Sequence, residues 1–185
     1  MRVLMVLMMV ACGGAAAPGG EKPAATANPA APAKAAAASS DALAPGAPAP
    51  DVTLTLHDGT KTALSSLKGK SVLVYFYPKD DTPGCTVEAQ GLRDGWADIQ
   101  AAGLQVFGVS TQDAASHQAF IDKHELPFPL VVDTDGAVAA AFKVPLRGGF
   151  AARQSFLIGP DGALKRVWTS VDPKEHAAEV IAAAR

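Results

Sequence analysis

The chain has 185 residues, with 16 basic and 18 acidic side chains and a formal net charge of −2. From Asp51 onward the balance is 13 basic to 16 acidic, so no basic excess exists to draw a phosphate backbone and nucleic acid is not an expected partner. The 49% hydrophobic content is inflated by alanine near the N-terminus; the roughly 135 residues from Asp51 are enough for one domain with its own core.

An apolar run from Val3 to Ala11 follows Arg2 and precedes Cys12-Gly13-Gly14. A helix needs about 20 residues to cross a bilayer, so this run is too short to span one. Between a basic residue and a small-residue break it reads as a signal peptide over residues 1–11. Met8-Met9-Val10-Ala11-Cys12 also resembles a bacterial lipobox, in which the cysteine is lipidated and becomes the first mature residue, although Met9 stands where leucine is usual. Cys12 is therefore the expected lipidation site; the alternative is an ordinary signal with an incidental cysteine. Acyl chains there would tether the protein to a bacterial membrane, in the cell envelope and facing the periplasm or exterior.

Residues 13–50 contain 17 Ala, 7 Pro and 5 Gly. These types bury little surface, and the prolines interrupt every alanine run, so the segment from Cys12 to residue 50 reads as a disordered linker. The domain is expected over residues 51–185.

There the pattern changes to alternation. Val52, Leu54 and Leu56 precede a His57-Asp58-Gly59-Thr60 turn signal, which predicts an N-terminal β-hairpin. Ser71 to Tyr77 is β-branched and aromatic nearly throughout, as in a central strand covered on both faces, and Pro78 ends it. Cys85, Ala89, Leu92, Trp96 and Ile99 recur at spacings of four and three, which predicts one amphipathic helix with Cys85 on its core side. Trp96 belongs to that stripe and reads as core. Gly91 and Gly95 lie off it, where each costs about 1 kcal/mol relative to alanine. Further strands are predicted at Leu104 to Val109, Leu130 to Val132, Gln154 to Ile158 and Leu164 to Trp168, the last two joined by a Gly159-Pro160-Asp161-Gly162 turn. Helices fit Ala114 to His124, Ala137 to Phe142 and Pro173 to Ala184. Alternating strands and helices with some hairpins predict an α/β thioredoxin-like fold, a central mixed sheet flanked by helices.

With Thr82 as N-cap and Pro83 as first helical residue, Cys85 falls in the first turn, where backbone N–H groups lack intrahelical partners. The helix dipole and those donors favour a thiolate, the nucleophilic form. A lone cysteine is more often inert packing. The histidines at 57, 117, 124 and 176 form no metal-ligand cluster in sequence, and neither zinc nor an iron–sulfur centre is supported.

The run Pro78-Lys79-Asp80-Asp81-Thr82-Pro83-Gly84-Cys85-Thr86 resembles the active-site loop of the peroxiredoxins (AhpC/TSA-like). It is especially similar to the bacterioferritin comigratory protein or PrxQ branch. The family pattern Pro-x-x-x-Thr-x-x-Cys is met by Pro78, Thr82 and Cys85. Gly108-Val109-Ser110, Leu126 to Leu130 and Arg153 to Ile158 follow in the family's order and spacing. The resemblance implies a thiol-dependent peroxidase that reduces hydrogen peroxide or organic hydroperoxides, with no cofactor, through a Cys85 sulfenic acid. It implies substrate donors at Thr82 and Arg153, shielding of the thiolate by Pro78, and an acid at Glu88 that orients the arginine. Read alone, Thr82 is also a helix cap, Arg153 a strand-edge surface charge and Glu88 an exposed first-turn acid.

Many relatives place a resolving cysteine five positions after the first; here that position is Gln90. A one-cysteine cycle is therefore expected, resolved by an external thiol, either a thioredoxin-like protein or a small molecule. The oligomeric expectation is a monomer or homodimer. A thioredoxin-like disulfide oxidoreductase is the rival within the fold, but Glu88 stands where its second cysteine would be. A membrane-tethered thiol redox sensor is the non-enzymatic rival.

Overall fold

A computed structural model of the protein describes residues 43–185. The expected signal, Cys12 and residues 13–42 lie outside the described residues. The predicted N-terminal hairpin forms from β1 (Thr53–Thr55) and β2 (Lys61–Ala63), antiparallel. Then come β3 (Ser71–Phe76), α1 (Pro83–Asp94), α2 (Trp96–Ala101), β4 (Leu104–Ser110), α3 (Ala114–His124), β5 (Leu130–Val132) and α4 (Ala137–Ala141). A short hairpin of β6 (Leu146–Arg147) and β7 (Phe150–Ala151) precedes β8 (Gln154–Ile158), β9 (Leu164–Trp168) and α5 (His176–Ala184).

Across the main sheet the order is β5-β4-β3-β8-β9. β3, β4 and β5 run parallel, and β8 and β9 are antiparallel to their neighbours, so the sheet is mixed as the sequence predicts. The fold is thioredoxin-like, with helices on both faces. β3 lies at the centre because its residues can be buried on both sides. Val72, Val74 and Phe76 pack on one face with Leu54, Phe107, Val109, Val138 and Phe156. Leu73, Tyr75 and the following Tyr77 pack on the other with Cys85, Ala89, Leu92, Ile99, Phe120 and Val180. Each large apolar side chain so buried contributes about 1.5–3 kcal/mol.

Residues 43–50 depart from the linker reading. Gly46 N donates to Leu164 O and Leu164 N to Ala47 O, both at 2.8 Å, and Ala49 N donates to Gly162 O at 2.9 Å. Leu43, Ala47 and Ala49 also pack against the first core face. A proline-bearing segment fits here because β9 is an edge strand, where a missing N–H can face outward. The folded body thus begins by Leu43 rather than at Asp51.

The single helix expected through Ile99 is two helices, broken at Gly95 (φ −84°, ψ 10°). A Cβ at Gly95 would stand 2.9 Å from Ile181 Cδ1, and one at Gly91 would lie 3.6 Å from Ala177 Cβ. Gly95 therefore lets α5 approach α1 and α2, a demand invisible in local spacing, whereas a methyl at Gly91 would make only ordinary contact. α5 itself starts at His176, three residues later than predicted, because Asp172 Oδ1 accepts from Lys174 N and its carbonyl takes Glu175 N and His176 N in a turn. β6 and β7 were not predicted. Their two-residue turn, Gly148 (φ 59°) and Gly149 (φ 85°), requires the left-handed conformation that Gly-Gly supplies.

Candidate active site

The segment between β3 and α1 is fixed from below before any substrate arrives. Asp80 is 6% exposed. Its carboxylate accepts from Tyr77 OH at 2.7 Å and Ser116 Oγ at 2.6 Å and lies 2.9 Å from His117 Nδ1. His117 Nε2 in turn donates to Val131 O at 3.0 Å. Burial pushes the Asp80 acid up, but the contacts from His117, Ser116 and Tyr77 outweigh it and hold its pKa below the ordinary range. This network ties the loop to α3 and β5.

Asp81 takes the left-handed conformation, φ 55°, which aspartate tolerates better than most residues. Lys123 Nζ donates to Asp81 Oδ2 at 2.5 Å, and His124 Nε2 lies 3.0 Å from Oδ1; these contacts lower its pKa. His124 also places Nδ1 3.3 Å from Gln90 Nε2. It therefore bridges the loop, α1 and α3.

The chain reverses here into Thr82 at the N-cap and Pro83 at the first helical position, as predicted. Thr86 N donates to Thr82 O at 2.8 Å, closing the first helical bond. The amides ahead of it lack intrahelical partners by geometry. The Thr82 hydroxyl does not cap the helix; it donates to Lys79 O at 3.1 Å. Pro78 is half-buried where the loop leaves β3.

Cys85 is 2% exposed, on the core side of α1 as its spacing predicts. Arg153, just ahead of β8, reaches it: Nη2 donates to Cys85 Sγ at 3.1 Å. Pairing of Phe76 with Gln154 brings that arginine, 68 residues away in sequence, to the same end of the sheet. Arg153 Nη1 donates to Glu88 Oε2. Glu88 is fully buried and lies in the second turn of α1, so the reading of it as an exposed first-turn acid is overturned, and the half-buried Arg153 is no free surface charge. Burial works to lower the Arg153 pKa, yet Glu88 and Cys85 outweigh it and raise it, keeping the guanidinium charged. Burial, Glu88 and Cys85 together push the Tyr75 phenol well above its ordinary range.

Sequence reasoning missed three members of this neighbourhood. Asp80 and His117 form the support beneath the loop, and His176 places Nδ1 2.9 Å from Glu88 Oε1. None had a local signal, because their partners come from separate elements. Trp96 packs at a tilt on Phe128, ring centroids 5.8 Å apart, against the core face that holds Phe128, Ile99 and Leu104, in keeping with its reading as packing. Two surface cavities, about 300 Å³ beside Pro48, Leu64 and Ile158 and about 550 Å³ beside Trp96, Phe107 and Pro129, are lined by neither Cys85 nor Arg153.

A thioredoxin-like fold that presents an arginine-held cysteine in the first turn of a helix defines a cysteine-based redox protein. Comparison with known proteins specifies which. The AhpC/TSA family model matches residues 45–167. A putative peroxiredoxin bcp of Coxiella burnetii is 42% identical over 143 residues, covering 74% of this chain and 95% of that protein. Peroxiredoxin Bcp of Bacillus subtilis is 40% identical over 143 residues, covering 74% and 91%. The chain spans 64% of the longer chloroplastic peroxiredoxin Q of japonica rice, at 39% identity. Peroxiredoxin Q of Xanthomonas campestris superposes with a TM-score of 0.70 at 36% identity, covering 77% of this chain and 94% of that one. Peroxidoxin BcpB of Mycobacterium tuberculosis does so with 0.71 at 30%, covering 77% and 97%. The chain belongs to the AhpC/TSA family and, within it, to the bacterioferritin comigratory protein or peroxiredoxin Q branch of peroxiredoxin enzymes, which act on peroxide with thiol reductants.

Proposed function

We propose that this protein reduces hydrogen peroxide and organic hydroperoxides through Cys85 and is returned to its thiol form by an external thiol. The observation that carries this reading is the Arg153 Nη2 to Cys85 Sγ contact of 3.1 Å at the start of α1. A related bacterioferritin comigratory protein of X. campestris, 36% identical, is described by its alkyl peroxide reduction activity, which supports the organic substrate class.

The Cys85 thiolate attacks the terminal peroxide oxygen. An S–O bond forms, the O–O bond breaks, and the departing alkoxide or hydroxide takes a proton and leaves as alcohol or water. The sulfur is oxidised by two electrons to the sulfenic acid. Negative charge moves onto oxygen during the attack, so rigid donors aimed there lower the barrier. Arg153 supplies them with its planar fork, and Glu88 fixes the fork's other edge. Thr82 is the second donor; its hydroxyl must turn from Lys79 O to reach a peroxide.

The sequence holds two cysteines, Cys12 and Cys85, with Gln90 at the fifth position after Cys85. With the Cys12 thiol consumed by lipidation, or removed with a cleaved signal, that inventory supports a one-cysteine cycle. An external thiol attacks the sulfenic sulfur and releases water, and a second thiol displaces Cys85 from the mixed disulfide. With excess thiol donor the full chain should consume peroxide over many turnovers, Cys85→Ser should show none, and Arg153→Lys should lose about 100-fold in rate constant. Cys85-dependent turnover without added thiol would overturn the one-cysteine cycle; a single oxidation and then arrest, despite thiol, would favour the sensor.

The lipobox-like run carries the proposal that lipidation at Cys12 tethers the enzyme in the cell envelope. No helix among the described residues is long and apolar enough to cross a membrane. Mass analysis of the mature N-terminus should find acyl mass on Cys12; cleavage after another residue would remove the anchor.

A further inference from the structure

His176, the first residue of α5, is 1% exposed, and the reaction above gives it no part. Its Nδ1 lies 2.9 Å from Glu88 Oε1 with both side chains at 0% exposure. That contact is within ion-pair reach but off the line of a hydrogen bond, and His176 Nε2 has no hydrogen-bond partner. The other Glu88 oxygen receives Arg153 Nη1, and Arg153 Nη2 holds Cys85 Sγ. A fully buried carboxylate is costly unless each oxygen has a partner. Arg153 serves Oε2, and His176 Nδ1 is the group placed to serve Oε1.

The imidazole is itself fenced. Tyr75 meets it edge-on at 6.1 Å between ring centroids and Trp168 at 5.9 Å. Charged or titratable groups that face the pair include Tyr75 from β3, Arg153 ahead of β8 and, through that guanidinium, Cys85 from α1, with Asp80 further off beside Tyr75. We propose that His176 is a positioning residue for peroxide reduction: it holds the far oxygen of Glu88, and Glu88 thereby fixes the Arg153 guanidinium against the Cys85 thiolate. Without it, Glu88 would draw more of the guanidinium's charge to itself and leave the fork less firmly aimed. This inference rests on the peroxidase reading of Cys85.

The test uses the full chain with His176→Leu, His176→Asn and His176→Gln. An asparagine amide can occupy the place of Nδ1, whereas a glutamine amide reaches that of Nε2. Three quantities are read: the rate constant with hydrogen peroxide, the pH midpoint of Cys85 alkylation followed by the mass of its peptide, and the thermal midpoint. The Leu and Gln variants should lose about 10- to 100-fold in rate, as misplaced catalytic groups do, with the alkylation midpoint moved upward. Asn should return both to within about threefold of wild type. Wild-type rate and midpoint in the Leu variant would overturn the proposal, as would equal impairment of all three, which marks packing alone. Should Leu fail to fold, the Asn and Gln pair decides. If wild type does not consume peroxide but His176→Leu still moves the alkylation midpoint, the peroxidase reading fails and the positioning of the thiolate stands.

Discussion

Cys85 depends on charges that arrive from three directions. The helix start supplies orphan amides, Arg153 supplies the guanidinium, and Glu88 turns that guanidinium toward sulfur. Asp80 sets the floor of the same loop and gives a test in pH. Its folded pKa lies below the ordinary 3.8, so its contribution to stability is fully present above the unfolded value and is lost as pH falls through the lower folded one. Asp80→Asn should therefore be less stable than wild type at neutral pH, and the gap should close as pH drops below about 3.8. Thermal midpoints of both proteins along an acid series check this, and a gap that stays constant would refute it.

α1 carries the cysteine, but α5 determines how α1 can sit. Gly91 and Gly95 look alike in sequence, each a weak point in a helix, yet they face different neighbours. At Gly91 an added methyl would make ordinary contact with Ala177, 3.6 Å away. Gly91→Ala should then stabilise by about 0.5–1 kcal/mol through helix propensity. At Gly95 an added Cβ would stand 2.9 Å from Ile181 Cδ1, which must swing aside, and 3.4 Å from the fixed Gly91 carbonyl oxygen, so the bulkier Gly95→Val should cost about 1–3 kcal/mol by overpacking. Urea unfolding of the two variants distinguishes them, and equal effects would remove α5 from the explanation.

The protein's body reaches further toward the N-terminus than its composition implies. Gly46, Ala47 and Ala49 exchange backbone hydrogen bonds with the β8 to β9 region, and Leu43 packs on the core. A chain beginning at residue 51 should thus be about 2–4 kcal/mol less stable in urea than one beginning at residue 43, from lost hydrogen bonds and apolar burial. Equal stability would return residues 43–50 to the linker. The family match beginning at residue 45 agrees with the longer body.

Local pattern was enough to place most of the elements. The bounds Ala114–His124 of α3 were legible as a helical run, and β3 as the central strand because it is apolar on both faces. Nearest-neighbour chemistry also set Thr82 and Pro83 at the helix start and turned Cys85 inward, and the run Pro78 to Thr86 carried the family. What it left open was every property that needs a distant partner. An acid one turn past a cysteine reads as a solvated helix-surface charge until Arg153, 65 positions on, and His176 of α5 close over it. The break at Gly95, the burial of Glu88 and the aim of Arg153 are set by packing between elements far apart in sequence. Local pattern alone places a thiol in the first turn of a helix, while packing selects the charges around it, because electrostatic contact is a matter of distance in space and not along the chain.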